Sequence, residues 1–258
     1  MFIEGRYVSL IMTIIFALIL YYLPERAKKG KVPKIRKLPA VGAIEEAVGR
    51  CAEMGRPVHF TAGLAYLTTD TGPQTIAAMG ILGYIARLCA KLGVPIVTTI
   101  CNPQTIPLHE EVVRQGYIVE GHPEDFRPEY SIRYISDEQR AYSAGVIGTV
   151  LRERPAANIV IGPLYGEIYT LLECGRPVGA LTIGGTARIV QVPVVVVMSD
   201  FALIGEEMFA ASAFVTEDPE EKGLVFGRDF IKWICLGLLV IGALLSISGV
   251  NLPALLSK

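Results

Sequence analysis

The stretch CAKLGVPIVTTICNPQTI, residues 89–106, reads as a helix end, a glycine stop, a proline-led strand and the start of a second helix. Gly93 suits the left-handed position just past a helix, and Pro95 suits a strand start, where no ladder donor is lost. The run Ile-Val-Thr-Thr-Ile is β-branched throughout, the composition of a strand. Pro103 can open a helix because the first turn needs no hydrogen bond from that position. The same unit recurs. CAEMGRPV at 51–58 parallels CAKLGVPI at 89–96, CGRPV at 174–178 is a shortened copy, and TGPQTI at 71–76 parallels CNPQTI at 101–106. Gly55, Gly93 and Gly175 are therefore expected in the left-handed conformation, with Cys51, Cys89 and Cys174 as small apolar residues where helix meets strand.

Outward from this unit, apolar strand-like runs alternate with helical periodicity. Strands are expected at 58–61, 95–100, 117–120, 158–161, 178–183 and 193–198, with an extra one at 130–135. Helices are expected at 41–54, 73–92, 107–115, 137–154, 164–174 and 201–214. Alternation with short links implies right-handed crossovers, hence an α/β fold with a mainly parallel, doubly wound, Rossmann-like sheet. Gly80, Gly83, Gly145 and Gly148 lie on helical stretches and would permit close packing within or between subunits.

The two ends have a different character. Residues 7–23, YVSLIMTIIFALILYYL, are seventeen without a charge, and 234–250, ICLGLLVIGALLSISGV, form a second such run. The chain is 52% hydrophobic and 19% charged, more apolar than soluble domains usually are, so both runs are expected to be transmembrane helices. After the first run comes PERAKKGKVPKIRKLP, where Arg26, Lys28, Lys29, Lys31, Lys34, Arg36 and Lys37 oppose only Glu25. That local charge of +6 leaves the rest of the chain at −7 against a net −1, so nucleic-acid binding is not expected. The positive-inside rule puts the basic side in the cytoplasm. The expected organisation is an anchor at 1–24, a basic linker at 25–39, a cytoplasmic α/β domain at 40–225 and a second anchor at 226–258, with both termini external to the cytoplasmic membrane. The basic tract could also contact anionic lipid. Thr13 with Ala17, and Gly242 with Ser246, form small-residue stripes where helices can approach closely.

Loops at the carboxyl ends of parallel strands are where open α/β sheets bind ligands. Helix starts there offer free amides to an anion. The candidate binding residues are Thr69, Asp70, Thr71, Gly72, Gln74 and Thr75 after the first strand, and Asn102, Gln104 and Thr105 after the second. Gly184, Gly185, Thr186 and Asp200 are expected at the same edge. Helix capping calls for the same residue types, so architecture is the competing reading. Glu120 and Glu167 should also fall near this edge as candidate bases or ribose ligands.

Glycine-rich nucleotide loops, phosphate-binding Lys-Ser/Thr loops and Gly-x-Ser-x-Gly elbows are absent from the sequence. No cofactor and no catalytic residue is assigned. His59, His109 and His122 lack metal-ligand spacing; His59 reads as structural and His109 as part of a solvated face. Cys101 stands at a strand end without a visible base, which favours an inert buried thiol.

The segments HFTAGLA at 59–65 and LTTDTGPQTIAAM at 67–79, continued through Gly184-Gly185-Thr186 and the second apolar run, resemble a prokaryotic membrane-protein family known only as a domain of unknown function. The resemblance implies a prokaryotic source and carries over no activity. Two functions remain open: a non-catalytic homo-oligomeric scaffold at the lipid bilayer, or a membrane-tethered enzyme or sensor binding a nucleotide or other small anion at the carboxyl edge.

Overall fold

The computed structural model describes residues 7–29, 38–216 and 218–247, and these fall into two units. One holds the helices α1 (Tyr7–Lys28) and α10 (Pro219–Ile247). The other runs α2 (Pro39–Met54), β1 (Val58–Thr61), α3 (Gly72–Leu92), β2 (Ile96–Ile100), α4 (Ile106–Val119), α5 (Pro128–Ser131), β3 (Ile132–Tyr134) and α6 (Gln139–Glu153). It continues through β4 (Ala157–Ile161), α7 (Ile168–Glu173), β5 (Leu181–Thr186), α8 (Val192–Met198), β6 (Phe201–Ile204) and α9 (Glu207–Thr216).

The six strands are all parallel, in the order β3-β2-β1-β4-β5-β6. From β1 the chain steps outward to β2 and β3, returns past β1 to β4, and proceeds to β5 and β6. Alternation along the strands supplies two cores. Phe60, Ile96, Ile159, Ile161 and Ile183 pack with α2, α3, α4 and α9 on one face, while Val160 packs with α6, α7 and α8 on the other. This is the expected α/β sheet.

Gly55 and Gly93 take the left-handed conformation at φ 62° and 65°. In the shortened copy that role passes to Gly179, at φ 69°. Gly175 instead makes room for its neighbours, since a Cβ there would meet Asn158 Nδ2 and Thr182 Oγ1 at 3.0 Å.

Four expected elements differ. Residues 117–120 do not form a strand. They finish α4, where buried Tyr117 packs against Phe126 in a tilted pair, 5.9 Å between ring centroids. Residues 178–183 were expected as a strand, but β5 starts at Leu181 and runs through Gly184 and Gly185. Side chains there would crowd Val195 and Ile161 at 3.0–3.1 Å, so the glycines mark tight packing on a strand. Residues 193–198 fold as α8 with Pro193 in its first turn, although the run is nearly all valine. Because that segment is helical, the last strand falls at 201–204, and the helix expected over 201–214 begins only at Glu207.

Gly80 lies against Ser212 and Thr216 of α9, Gly83 against Val112 of α4, and Gly145 against Ile135, all within one subunit; Gly148 faces open space. In the helical pair, a Cβ on Gly223 would come 2.6 Å from Pro24 Cα, and Gly227 faces Leu20 and Leu23. Lys28 bridges to Glu220 at 2.7 Å. The Gly242 position meets open space, so α1 and α10 approach through Gly223 and Gly227. The Ser246 side chain, Lys31, Lys34, Arg36, Lys37 and residues 248–250 lie outside the described residues. Among the described residues, two helices are long and apolar enough to cross a membrane: α1 over Leu10–Lys28, and α3. The apolar residues of α3 are largely taken up by the core against the sheet.

Candidate functional site

The strand order reverses between β1 and β4, and a parallel sheet offers its ligand crevice at the carboxyl end of such a point. Here the loops after β1 and β4 close on each other. A Cβ on Gly162 would collide with the Ala62 carbonyl, and one on Gly63 would lie 2.6 Å from Leu164 Cδ2.

The loops after β1 and β2 are neighbours at this edge, and most of their threonine hydroxyls and backbone amides are bonded locally. Thr69 Oγ1 and Thr71 Oγ1 are 2.7 Å apart, and Thr75 Oγ1 donates to the Tyr66 carbonyl at 3.0 Å. Gly72 N donates to the Thr69 carbonyl, and Gln74 N and Thr75 N donate to that of Thr71, all at 3.0–3.1 Å. Pro73 has no amide to offer. Asn102 Oδ1 accepts from Gln104 N at 3.0 Å, and the Asn102 carbonyl accepts from Thr105 N and Thr105 Oγ1. The first-turn amides of α3 and of the turn into α4 are thus bonded locally. Asp70 and Gln104 are exposed.

Gly184 and Gly185 lie inside β5, and Thr186 ends it two strands from β1, roughly 10 Å away. Thr186 Oγ1 accepts from Arg188 N at 3.3 Å. Asp200 does not reach this edge. Since 192–198 is a helix, Asp200 stands at the entrance of β6, at the amino edge, where its carboxylate accepts from Thr182 N at 2.8 Å. Glu120 is also elsewhere, ending α4 and bonded to Arg87 at 3.0 Å.

Glu167 does belong to the reversal point. It is buried, its Oε1 accepting from Tyr165 N at 2.9 Å and its Oε2 from Gln139 Nε2 at 2.5 Å. Arg188 lies over the Tyr165 ring at 3.9 Å. Burial first, and then the negative charges of Glu167, Asp137 and Glu138, push the Cys101 thiol up to about 12, so it stays protonated at neutral pH. The arrangement can hold a carboxylate in place; it does not activate the thiol.

Beneath it, a polar row crosses the sheet. His59 Nδ1 donates to Asn158 Oδ1 at 2.7 Å, His59 Nε2 accepts from Thr99 Oγ1 at 3.0 Å, and Asn158 Nδ2 donates to the Leu171 carbonyl. Burial lowers His59 to about 4. His109, expected on a solvated face, is buried and bonded through Nδ1 to the Thr105 carbonyl at 2.8 Å. It tucks back onto the turn that starts its own helix.

Sequence reasoning missed the amino edge. A cavity of about 500 Å3 opens there beside Cys89, Val94, Tyr117, Arg127 and Tyr130. A second, of about 380 Å3, is lined by Arg50, Arg176, Thr182, Ser199 and Asp200. No local motif announces either, because their walls come from segments far apart in the chain. Among the described residues one group has metal-ligand spacing, His122 with Glu124 and Asp125, all exposed.

No curated protein and no solved structure matches this chain. The family model described as "Domain of unknown function (DUF6754)" matches residues 1–255, and with essentially its whole length covered the chain belongs to that family.

Proposed function

We propose that this chain is a membrane-anchored α/β domain serving as a homo-oligomeric structural component of a membrane assembly, without catalysis of its own. In this reading α1 and the apolar half of α10 cross the cytoplasmic membrane. The α/β domain lies in the cytoplasm, on the side of Arg26, Lys28 and Lys29, and the termini are external. The outward apolar residues of α1, among them Ile11, Ile14 and Leu18, support anchoring.

One observation carries the assembly part. In α8 only Val195 is fully buried; Val197 is 73% exposed, and the preceding Ile189 and Val190 are 87% and 81% exposed. The helix α8 adjoins β6, an edge strand of sequence FALI without a lysine or proline to discourage pairing. The opposite edge, β3, carries Arg133 paired to Glu153. Exposed apolar surface beside an unguarded sheet edge fits association with a second copy, since a two-fold contact buries the same patch on both chains.

The test is the mass of the detergent-extracted full chain by light scattering. Val190→Asp with Val197→Asp should lower it towards a single chain; an unchanged mass sinks assembly through α8. Gly242→Leu with Ser246→Leu tests pairing between anchors of different copies in the same way.

The second reading, an enzyme or sensor taking a nucleotide or other small anion at the carboxyl edge, is favoured by strand order, which is that of dinucleotide-binding sheets. The locally bonded amides weigh against it. Equilibrium dialysis with ATP and with inorganic phosphate distinguishes the two.

A further inference from the structure

We propose that the groove between α1 and α10 binds one anionic phospholipid, with an acyl chain along its apolar wall and the phosphate on Arg26. This rests on the reading of α1 as a membrane anchor.

The close approach at Gly223 and Gly227 brings the two backbones together and leaves Phe226 and Phe230 to flank the contact. Between them and Ile15, Leu18 and Ile19 runs a groove of about 590 Å3, within the size range of small-molecule sites. Its polarity is graded. Ile15 stands at one end, and Tyr22 and Arg26 stand at the other, eleven residues or about 16 Å along the helix. An apolar trough ending in a cation matches a molecule with a hydrocarbon tail and an anionic head.

Charge selects the head. Lys28 is neutralised by Glu25 at 3.4 Å and Glu220 at 2.7 Å. Arg26, among the described residues, has no ion-pair partner. A guanidinium presents a planar fork that suits two phosphate oxygens at once. A helix from another copy could cover the apolar wall, but it would leave that guanidinium unmatched.

The experiment uses the full chain in detergent, titrated with phosphatidylglycerol or phosphatidylcholine of the same acyl chains and read by native mass spectrometry. One phosphatidylglycerol should bind with about fivefold preference, the effect of one basic residue near an anionic headgroup. Arg26→Gln should abolish the preference and Arg26→Lys should largely keep it. Lys29→Gln, an exposed cation outside the groove lining, should leave it unchanged, and Leu18→Trp should displace both lipids. Equal binding of the two lipids, or equal losses in Arg26→Gln and Lys29→Gln, overturns the proposal. So does a Leu18→Trp variant that loses subunits while lipid binding stays the same. A chain recovered in the soluble fraction after alkaline carbonate washing overturns the anchoring reading instead.

Discussion

Gly223 packs directly on Pro24, with room for no side chain between them. Pro24 offers no amide to its own helix, and Gly223 lets α10 close over that point. The contact also sets the stagger of the pair. From Gly223 to Ile234, where the uncharged half of α10 begins, is eleven residues or about 16 Å. The apolar run of α1 therefore lies beside the charged first half of α10. At helical spacing, Arg228, Asp229 and Lys232 fall on the side away from Gly223 and Gly227. There Lys232 pairs with Asp229 at 3.1 Å, so part of this charge is met within α10 itself.

Gly223→Val should overpack this contact and cost the helix pair about 1–3 kcal/mol. Cysteines introduced at Leu20 and Gly227 report on it through the yield of an oxidative cross-link within one chain. The yield should fall in the Gly223→Val background and persist with Gly242→Val, whose Cβ meets open space. Equal yields in the two backgrounds would contradict the packing.

Glu167 and Gln139 form a buried pair in which a carboxylate accepts from an amide. Glu167→Gln leaves two amides competing for one acceptor and weakens the bond to Tyr165 N. The expected loss is about 1–3 kcal/mol, and the exchange Gln139→Glu with Glu167→Gln should recover part of it. Thermal unfolding of the three variants decides. If the exchange is no better than Glu167→Gln alone, the pair does not set the geometry of this edge.

The four buried cysteines should resist alkylation. Burial raises Cys51 to about 11 and Cys101 and Cys174 to about 12, and lifts Cys89 well above the ordinary thiol value, so the reactive thiolate is scarce at pH 7.5. Iodoacetamide should modify these four only after denaturation, as peptide mass spectrometry would show. Fast labelling of Cys101 in the folded protein would mean that the reversal point is open and its thiol activated.

Much of the fold is legible where local chemistry and topology agree. The units ending in Gly55 and Gly93 announce β1 and β2, because a glycine stop and a proline start have few other uses. The valines of α8 are not legible. A short apolar run has the same composition in a strand and in a buried helix, and only the sheet, already supplied with β5 and β6, decides. That one reversal moved Asp200 to the opposite edge. The loops after β1 and β2 were legible as neighbours, but whether their amides point outward depends on turn geometry that residue types leave open. Glu167 was legible as an edge acid; its partner Gln139 was not, because it arrives from the start of α6, a neighbouring helix on the same face of the sheet.

Acid should destabilise the α/β domain through His59 and His109. Both are lowered to about 4, chiefly by burial, from an ordinary value near 6.5. In the fold each stays neutral through the weakly acidic range, while in the unfolded chain each takes up a proton below about 6.5. Their stabilising effect is therefore fully present above that pH, lost as pH falls from 6.5 towards 4, and unchanged further below. At pH 5 the loss is about 2 kcal/mol for each histidine. Glu111 and Glu138 are held below the ordinary carboxylate value by side-chain and backbone hydrogen bonds respectively, which moves their titration away from the histidine range. Denaturant unfolding of the full chain in detergent at pH 7.5 and pH 5 measures the sum. His109→Gln, which can keep a bond to the Thr105 carbonyl, should remove roughly half of the difference, with His59 supplying the rest. A midpoint that does not move between the two pH values would mean that these imidazoles are hydrated in solution, and that the polar row from Thr99 through His59 to Asn158 is not closed to water.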